Sequence, residues 1–245
     1  MSITIPTPVG DDETLIDHGC YNYYHESQIG GTVFAEKTKV SEPWSRHRNA
    51  QGDIIVRAER DSREFGNKIF VQSLAHANQI TQFDVVIKIF ADDAIKQLSA
   101  HYQFSANYAQ IKRVTLEGAV EETELELAEG YIVSPLMRIY NGDVIQRLLV
   151  QGESQVLVPW IRNPQDTEQL LTPLLSQRQA RFQEHETINI DGRSIDAARY
   201  EYFGGEYQPG TLFWLDQKDV MQRYVWQQDE MNCWDTRLEQ YLAAP

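Results

Sequence analysis

The sequence predicts a mainly β fold: a highly curved or closed antiparallel sheet, a barrel or half-barrel, with one short helix. Three observations point there. Apolar and polar residues alternate at period two through much of the chain. Turn-forming residues separate these runs at intervals of about 8 to 12 residues. Strand–helix–strand units are missing, which disfavours doubly wound and TIM-barrel architectures.

The alternation is clearest over residues 98–108. Leu98, Ala100, Tyr102, Phe104, Ala106 and Tyr108 share one face, and Gln97, Ser99, His101, Gln103, Ser105 and Asn107 share the other. Successive side chains of a strand point to opposite faces, so this segment reads as a long strand with one dry side. Upstream, Phe83, Val85, Ile87 and Ile89 alternate in the same way, as do Ile69, Val71, Ser73 and Ala75. Downstream, Val114 with Leu116 and Leu125 with Leu127 mark shorter strands. Gly30-Gly31, Gly66-Asn67, Asn141-Gly142-Asp143 and Asp191-Gly192-Arg193 supply the positive φ angles of tight hairpins. The helix is expected over residues 167–175, entered with Asn163 as N-cap, Pro164 in the first turn and Pro173 limiting its length. The reading is roughly a dozen strands. Residues 1–18 are read as an N-terminal extension. Residues 19–245 are read as a single β domain, with a division into two lobes near 155–175 as the alternative.

Composition narrows the classes of function. The chain has 245 residues, 42% of them hydrophobic, enough for a core without metal or disulfide staples. Asp and Glu outnumber Lys and Arg by 36 to 22, a net charge of −14. Such a chain repels phosphate backbones and anionic membrane surfaces, which argues against nucleic acid as a partner. The first twenty residues, MSITIPTPVGDDETLIDHGC, show neither a basic region nor an apolar stretch of the secretory kind. No run approaches the ~18 apolar residues of a membrane span. The expectation is a soluble, cytoplasmic protein. Cys20 and Cys233 lie near opposite ends of the chain without a Cys/His cluster, so no metal is expected. They read as independent buried thiols, able to approach only if the first and last strands are neighbours.

Recognisable catalytic motifs are absent, and no cofactor is expected. His76 and His101 fall on polar faces of separate strands, where a hydrogen-bonded surface histidine is the ordinary reading. With Glu117 they are the candidate acid–base groups if the chain is an enzyme. Glu121, Glu122, Glu124 and Glu126 read as a solvated face. Aromatics are more informative: Tyr21, Tyr23 and Tyr24 near the start, and a dense set between Tyr200 and Trp226. Tyr102, Phe104, Trp214, Tyr224 and Trp226 are the candidate wall of an enclosed ligand pocket. Trp214 alternates out of phase with Phe213 and Leu215, so one of those two sets must point away from the pocket.

The order of short motifs adds a resemblance. The chain opens on Tyr23-Tyr24-His25-Glu26-Ser27-Gln28-Ile29-Gly30 and continues through Arg60-Asp61-Ser62-Arg63-Glu64. It closes on Ile190-Asp191-Gly192-Arg193, Gly204-Gly205, Leu212-Phe213-Trp214-Leu215-Asp216 and Trp234-Asp235-Thr236-Arg237-Leu238. This resembles an uncharacterised group of bacterial β-rich proteins, similar in character to the lipoprotein-carrier (LolA-like) half-barrels. The resemblance implies an antiparallel sheet curled around an apolar cavity that holds acyl chains. The leading expectation is therefore a lipocalin-like binder of a hydrophobic small molecule, as carrier, sensor or chaperone. The alternative is a cofactor-independent cyclase or isomerase using the same pocket. A third is a protein-interaction module docking a partner at a sheet edge.

Overall fold

The alternating segments become fifteen strands in the computed structural model. It describes residues 9–29, 32–91, 94–161, 163, 166–229 and 232–244. The first eight strands are β1 (Thr14–Ile29), β2 (Thr32–Arg48), β3 (Ile54–Ser62), β4 (Asn67–His76), β5 (Gln79–Ala91), β6 (Ala94–Ser105), β7 (Tyr108–Val114) and β8 (Val120–Glu126). A two-residue strand, β9 (Ile132–Val133), precedes the helix α1 (Asn141–Gln151). Then follow β10 (Ser154–Pro159), β11 (Pro173–Ile190), β12 (Arg193–Phe203), β13 (Leu212–Leu215), β14 (Met221–Gln227) and β15 (Asn232–Ala243).

All fifteen join one sheet in the order β8-β7-β6-β5-β4-β3-β2-β1-β15-β14-β13-β12-β11-β10-β9. Neighbours are antiparallel except for the short β9–β10 pair. The sheet is curled without being closed by hydrogen bonds. Its two edges, β8 and β9, are linked directly by residues 127–131.

Side chains across the interior hold the curl. The Tyr102 hydroxyl on β6 donates to the Leu171 carbonyl at 2.6 Å. Arg113 on β7 donates to the carbonyls of Glu168 and Leu170 at 2.7 and 2.8 Å. Glu168, Leu170 and Leu171, just before β11, are thus tied to strands far away in sheet order. Tyr102 is fully buried and stacks on Phe83 with ring centroids 4.3 Å apart. Tyr102→Phe should therefore lower stability by about 1–3 kcal/mol, because it leaves a buried carbonyl unpaired while keeping the ring. Urea unfolding checks this, and a loss under about 0.5 kcal/mol would show that the tie is unimportant.

The alternation holds as far as Phe104, but the strand stops at Ser105: Ala106 and Asn107 form the turn into β7, and Tyr108 is exposed rather than on the dry face. Leu98, Ala100 and Tyr102 are buried and Phe104 is half-buried, whereas Gln103 is exposed. Asp191 and Gly192 both take positive φ, 50° and 76°, and form the two-residue turn between β11 and β12. Glu121, Glu122, Glu124 and Glu126 are exposed on edge strand β8, where charge discourages pairing with another chain. The Gly30-Gly31 turn lies outside the described residues.

The helix is not where the sequence pattern placed it. Residues 166–171 form overlapping turns, with the Asp166 carbonyl accepting from the Gln169 and Leu170 amides. Leu171 then adopts a positive φ of 64°, which no helix continues through. Pro173 begins β11. Pro164 lies outside the described residues. Instead Asn141-Gly142-Asp143, which resembles a hairpin turn, opens α1. Val144, Ile145 and Leu148 bury one face of that helix. It closes one end of the curled sheet. Gln146 donates to the Asp219 carboxylate at 2.7 Å, and Arg147 donates to the carbonyl of Asn78. Those partners sit in the β13–β14 and β4–β5 turns.

β1 and β15 do lie side by side, yet the thiols do not meet. Cys20 is opposite Gln240 and Cys233 is opposite Glu26, so about six residues of strand, roughly 20 Å, separate them. Both are free, and burial pushes the Cys20 thiol up to about 11.

A second polar cluster lies near the chain's first described residues. Arg57 makes a bidentate pair with Glu13 at 2.6 and 2.7 Å and holds Gln72 at 2.9 Å. Burial first, then the charges of Arg57 and His18, depress His47 below the usual histidine value. The unfolded chain then takes up a proton at a pH where the folded one does not. This contribution to stability is complete above the usual value of 6.5 and is lost as pH falls below it. Glu13, held down mainly by its bond to Arg57, adds a further loss below its ordinary 4.5. In a urea-midpoint series, His47→Gln should flatten the limb between about pH 6.5 and 5 and leave the Glu13 limb in place.

Candidate functional site: an arginine-lined hollow

Inward positions of the strands are mostly apolar, but among the described residues some carry charge, including Arg113, Glu42, Arg60 and Arg178. Glu42 continues the inward phase of Val40 and Trp44 on β2 and is wholly buried. Arg60 follows Val56 and Ala58 on β3, and Arg178 precedes Ala180 on β11. Against them runs the segment between β9 and α1, residues 134–140, which ends in one 3-10 turn at Arg138–Tyr140. The positive φ of Leu136, 66°, turns this segment so that backbone groups face the charges.

Glu42 is the hub. It accepts from the Tyr23 hydroxyl at 2.6 Å, from Arg60 Nε at 2.8 Å and from the Arg138 backbone amide. Arg60 also donates to the Leu136 carbonyl at 2.8 Å. Burial pushes the Tyr23 phenol up to about 12, so it stays protonated and donates. Arg178 is equally engaged: both Glu206 oxygens at 3.0 Å, Ser176 at 2.9 Å and the Tyr202 hydroxyl at 3.1 Å. The Arg138 guanidinium lies over the Tyr224 ring at 4.6 Å and near Tyr23 at 5.9 Å.

These groups surround a hollow of about 100 Å³, walled by Arg60, Arg138, Arg178, Trp160, Glu206 and Tyr207. A second hollow of about 190 Å³ is lined by Ile69, Ile87, Leu170, Ser62 and Asn67. Arg60 and Ile161 line both, so one polar and one aliphatic space adjoin. A polar group fits the first and a hydrocarbon portion fits the second.

Of the wall that the sequence suggests, none of Tyr102, Phe104, Trp214, Tyr224 and Trp226 is among the residues lining the two hollows. Tyr224 lies beneath Arg138, and Trp226 approaches Tyr207 at 6.4 Å between ring centroids. Tyr102 and Phe104 face inward but sit in packed core beside Phe83. Trp214 faces the other way. It packs with Ile188, Ile190 and Ala197 on the opposite side of the sheet and donates to Glu186 at 2.8 Å. Phe213 and Leu215 take the inward phase that the pocket reading gave to Trp214.

His76, His101 and Glu117 do not line either hollow. His76 pairs with Asp53 at 2.7 Å, and His101 pairs with Asp84 at 2.8 Å on the outer face. Glu117 is exposed in the β7–β8 turn. Nothing brings the three together. Among the described residues no cluster of His, Cys, Asp and Glu has the makings of a metal site, and no helix is long and apolar enough to cross a membrane.

Against solved structures, the β-barrel-like protein of domain of unknown function DUF1849 from Brucella abortus superposes with a TM-score of 0.58. The match covers 94% of this chain and 98% of that one at 9% sequence identity. The fold is β-barrel-like. At that identity the likeness extends to the fold alone. A DUF1329 family protein from Desulfovibrio piger reaches only 0.20, at 11% identity over 94% of this chain and 86% of that one, and adds nothing to it. No protein-family model and no curated protein sequence matches this chain.

Proposed function

We propose that the chain binds a small organic molecule inside its curled sheet, as a carrier or sensor. The observation that carries this reading is the pair of adjoining hollows between inward-facing side chains. Closed or nearly closed sheets of this kind hold ligands where their side chains stop short of filling the centre. The β-barrel-like fold and the resemblance to lipoprotein-carrier half-barrels support the same reading. The purely apolar pocket expected from sequence becomes a pocket with two chambers, since Arg60, Arg138 and Arg178 line the first of them.

Calorimetric titration with 1-octanol tests occupancy. Binding is expected, and it should be lost in Ile87→Trp, which fills the aliphatic hollow. Absence of octanol binding, together with native mass spectra showing only the bare chain, would overturn the reading.

A further inference from the structure

We infer that the ligand carries an oxyanion head, such as a carboxylate, seated on the Arg138 guanidinium. This rests on the reading that a small molecule occupies the two hollows, and it names the chemistry of that molecule.

Arg138 stands apart from its neighbours. A buried cation is normally paired, because desolvating it alone is costly. Arg60 meets this need through Glu42 and the Leu136 carbonyl, and Arg178 through Glu206, Ser176 and Tyr202. For Arg138 only the backbone amide is engaged by Glu42. Its Nε is sealed from solvent and has no hydrogen-bond partner. Arg193 and Arg199 also have an unpaired Nε, but their other nitrogens donate to the Leu238 carbonyl and to Glu184 and Glu186.

The aromatic neighbours do not replace a partner. A ring attracts a cation through its face, so Tyr224 and Tyr23 help hold the charge in place. The five N–H donors point outward in the guanidinium plane, and that plane suits the two oxygens of a carboxylate. Arg138 lines the polar hollow.

Charge favours an anion. Among the described residues, Arg60, Arg138 and Arg178 line the polar hollow, and of the three guanidinium groups Arg138 is without a carboxylate partner. An ammonium head would meet three arginines, and a neutral head can accept a hydrogen bond but leaves the Arg138 charge uncompensated. The hydrocarbon portion then extends past Arg60 and Ile161 into the space beside Ile69, Ile87 and Leu170.

Calorimetry with octanoate, 1-octanol and octylammonium at one pH separates the claims. Octanoate should bind about ten to a hundred times more tightly than octanol, the worth of a charge-assisted hydrogen bond, and octylammonium more weakly than either. In Arg138→Met, octanoate should fall to the level of octanol while octanol affinity stays put. The urea midpoint of that variant should hold or rise, because a half-buried charge whose sealed Nε has no partner is gone. A merely structural Arg138 would lower the midpoint and weaken both ligands alike. Equal binding of octanoate and octanol to the unaltered protein overturns the oxyanion inference and leaves the pocket standing. Failure of both ligands to bind overturns the pocket and the inference with it. The comparison on the unaltered protein decides even if Arg138→Met does not fold.

Discussion

Glu42→Leu should lower the unfolding free energy by about 3 to 5 kcal/mol, the usual cost of stripping one partner from a buried charge pair. For a chain of this length, that is a fall of roughly 6 to 20 °C in melting temperature. Three donors lose their acceptor together: the Tyr23 hydroxyl, Arg60 Nε and the Arg138 backbone amide. Arg60 keeps only the Leu136 carbonyl, and its charge becomes uncompensated in the interior. The double variant Glu42→Leu/Arg60→Met removes both charges and should recover most of the loss, since an apolar pair can replace a buried ion pair at little cost. Urea unfolding of the four-member cycle gives the coupling. If the two single losses simply add, the pair is not what makes Glu42 necessary.

Gly142→Ala is expected to lower stability by about 3 kcal/mol, although glycine-to-alanine changes within helices ordinarily help by up to about 1 kcal/mol. A Cβ at this position falls 1.8 Å from the carbonyl oxygen of Asp219. That oxygen belongs to the backbone of the β13–β14 turn and cannot swing aside as a side-chain end would. Either α1 lifts away or the turn moves, and the Gln146–Asp219 bond suffers in both cases. Val150→Ala on the exposed face of the same helix is the control, and it should be neutral or slightly stabilising. Thermal melts of the two variants make the comparison. Equal melting temperatures would mean that the helix does not bear on the turn.

What the sequence reveals follows from how local each signal is. The inward phase of Tyr102 and the turn at Asp191-Gly192 are legible because the period of a strand and the φ preference of glycine are properties of a few adjacent residues. The helix at 141–151 is not, because Gly142 is needed there for its approach to Asp219, a contact across 77 positions of sequence. Read locally, Asn-Gly-Asp is a turn. The site lies between these cases. Glu42 and Arg60 interrupt apolar inward phases, and a charge in that register is a legible sign of a buried pair. Arg138 sits in a segment with no period at all, so only the fold brings it over Tyr224. For Trp214 the two phases of β13 are both apolar, and composition could not choose between them.

The placement of β1 beside β15 has a kinetic consequence. Every other antiparallel pair in the sheet joins neighbours in sequence, and the short β9–β10 pair does too. The β1–β15 seam alone must bring together residues such as Asp17 and Ala243, closing nearly the entire chain into a ring. Loop-closure entropy and the dependence of folding rate on contact order make such a seam slow to form. Cutting the chain within residues 127–131 and joining β15 to β1 by a short turn removes this cost. The permuted chain would lay down its strands in the order of the sheet, a meander from β10 to β15 and on through β1 to β8 once β9 and α1 are passed, and should refold faster than the natural order while reaching the same curled sheet.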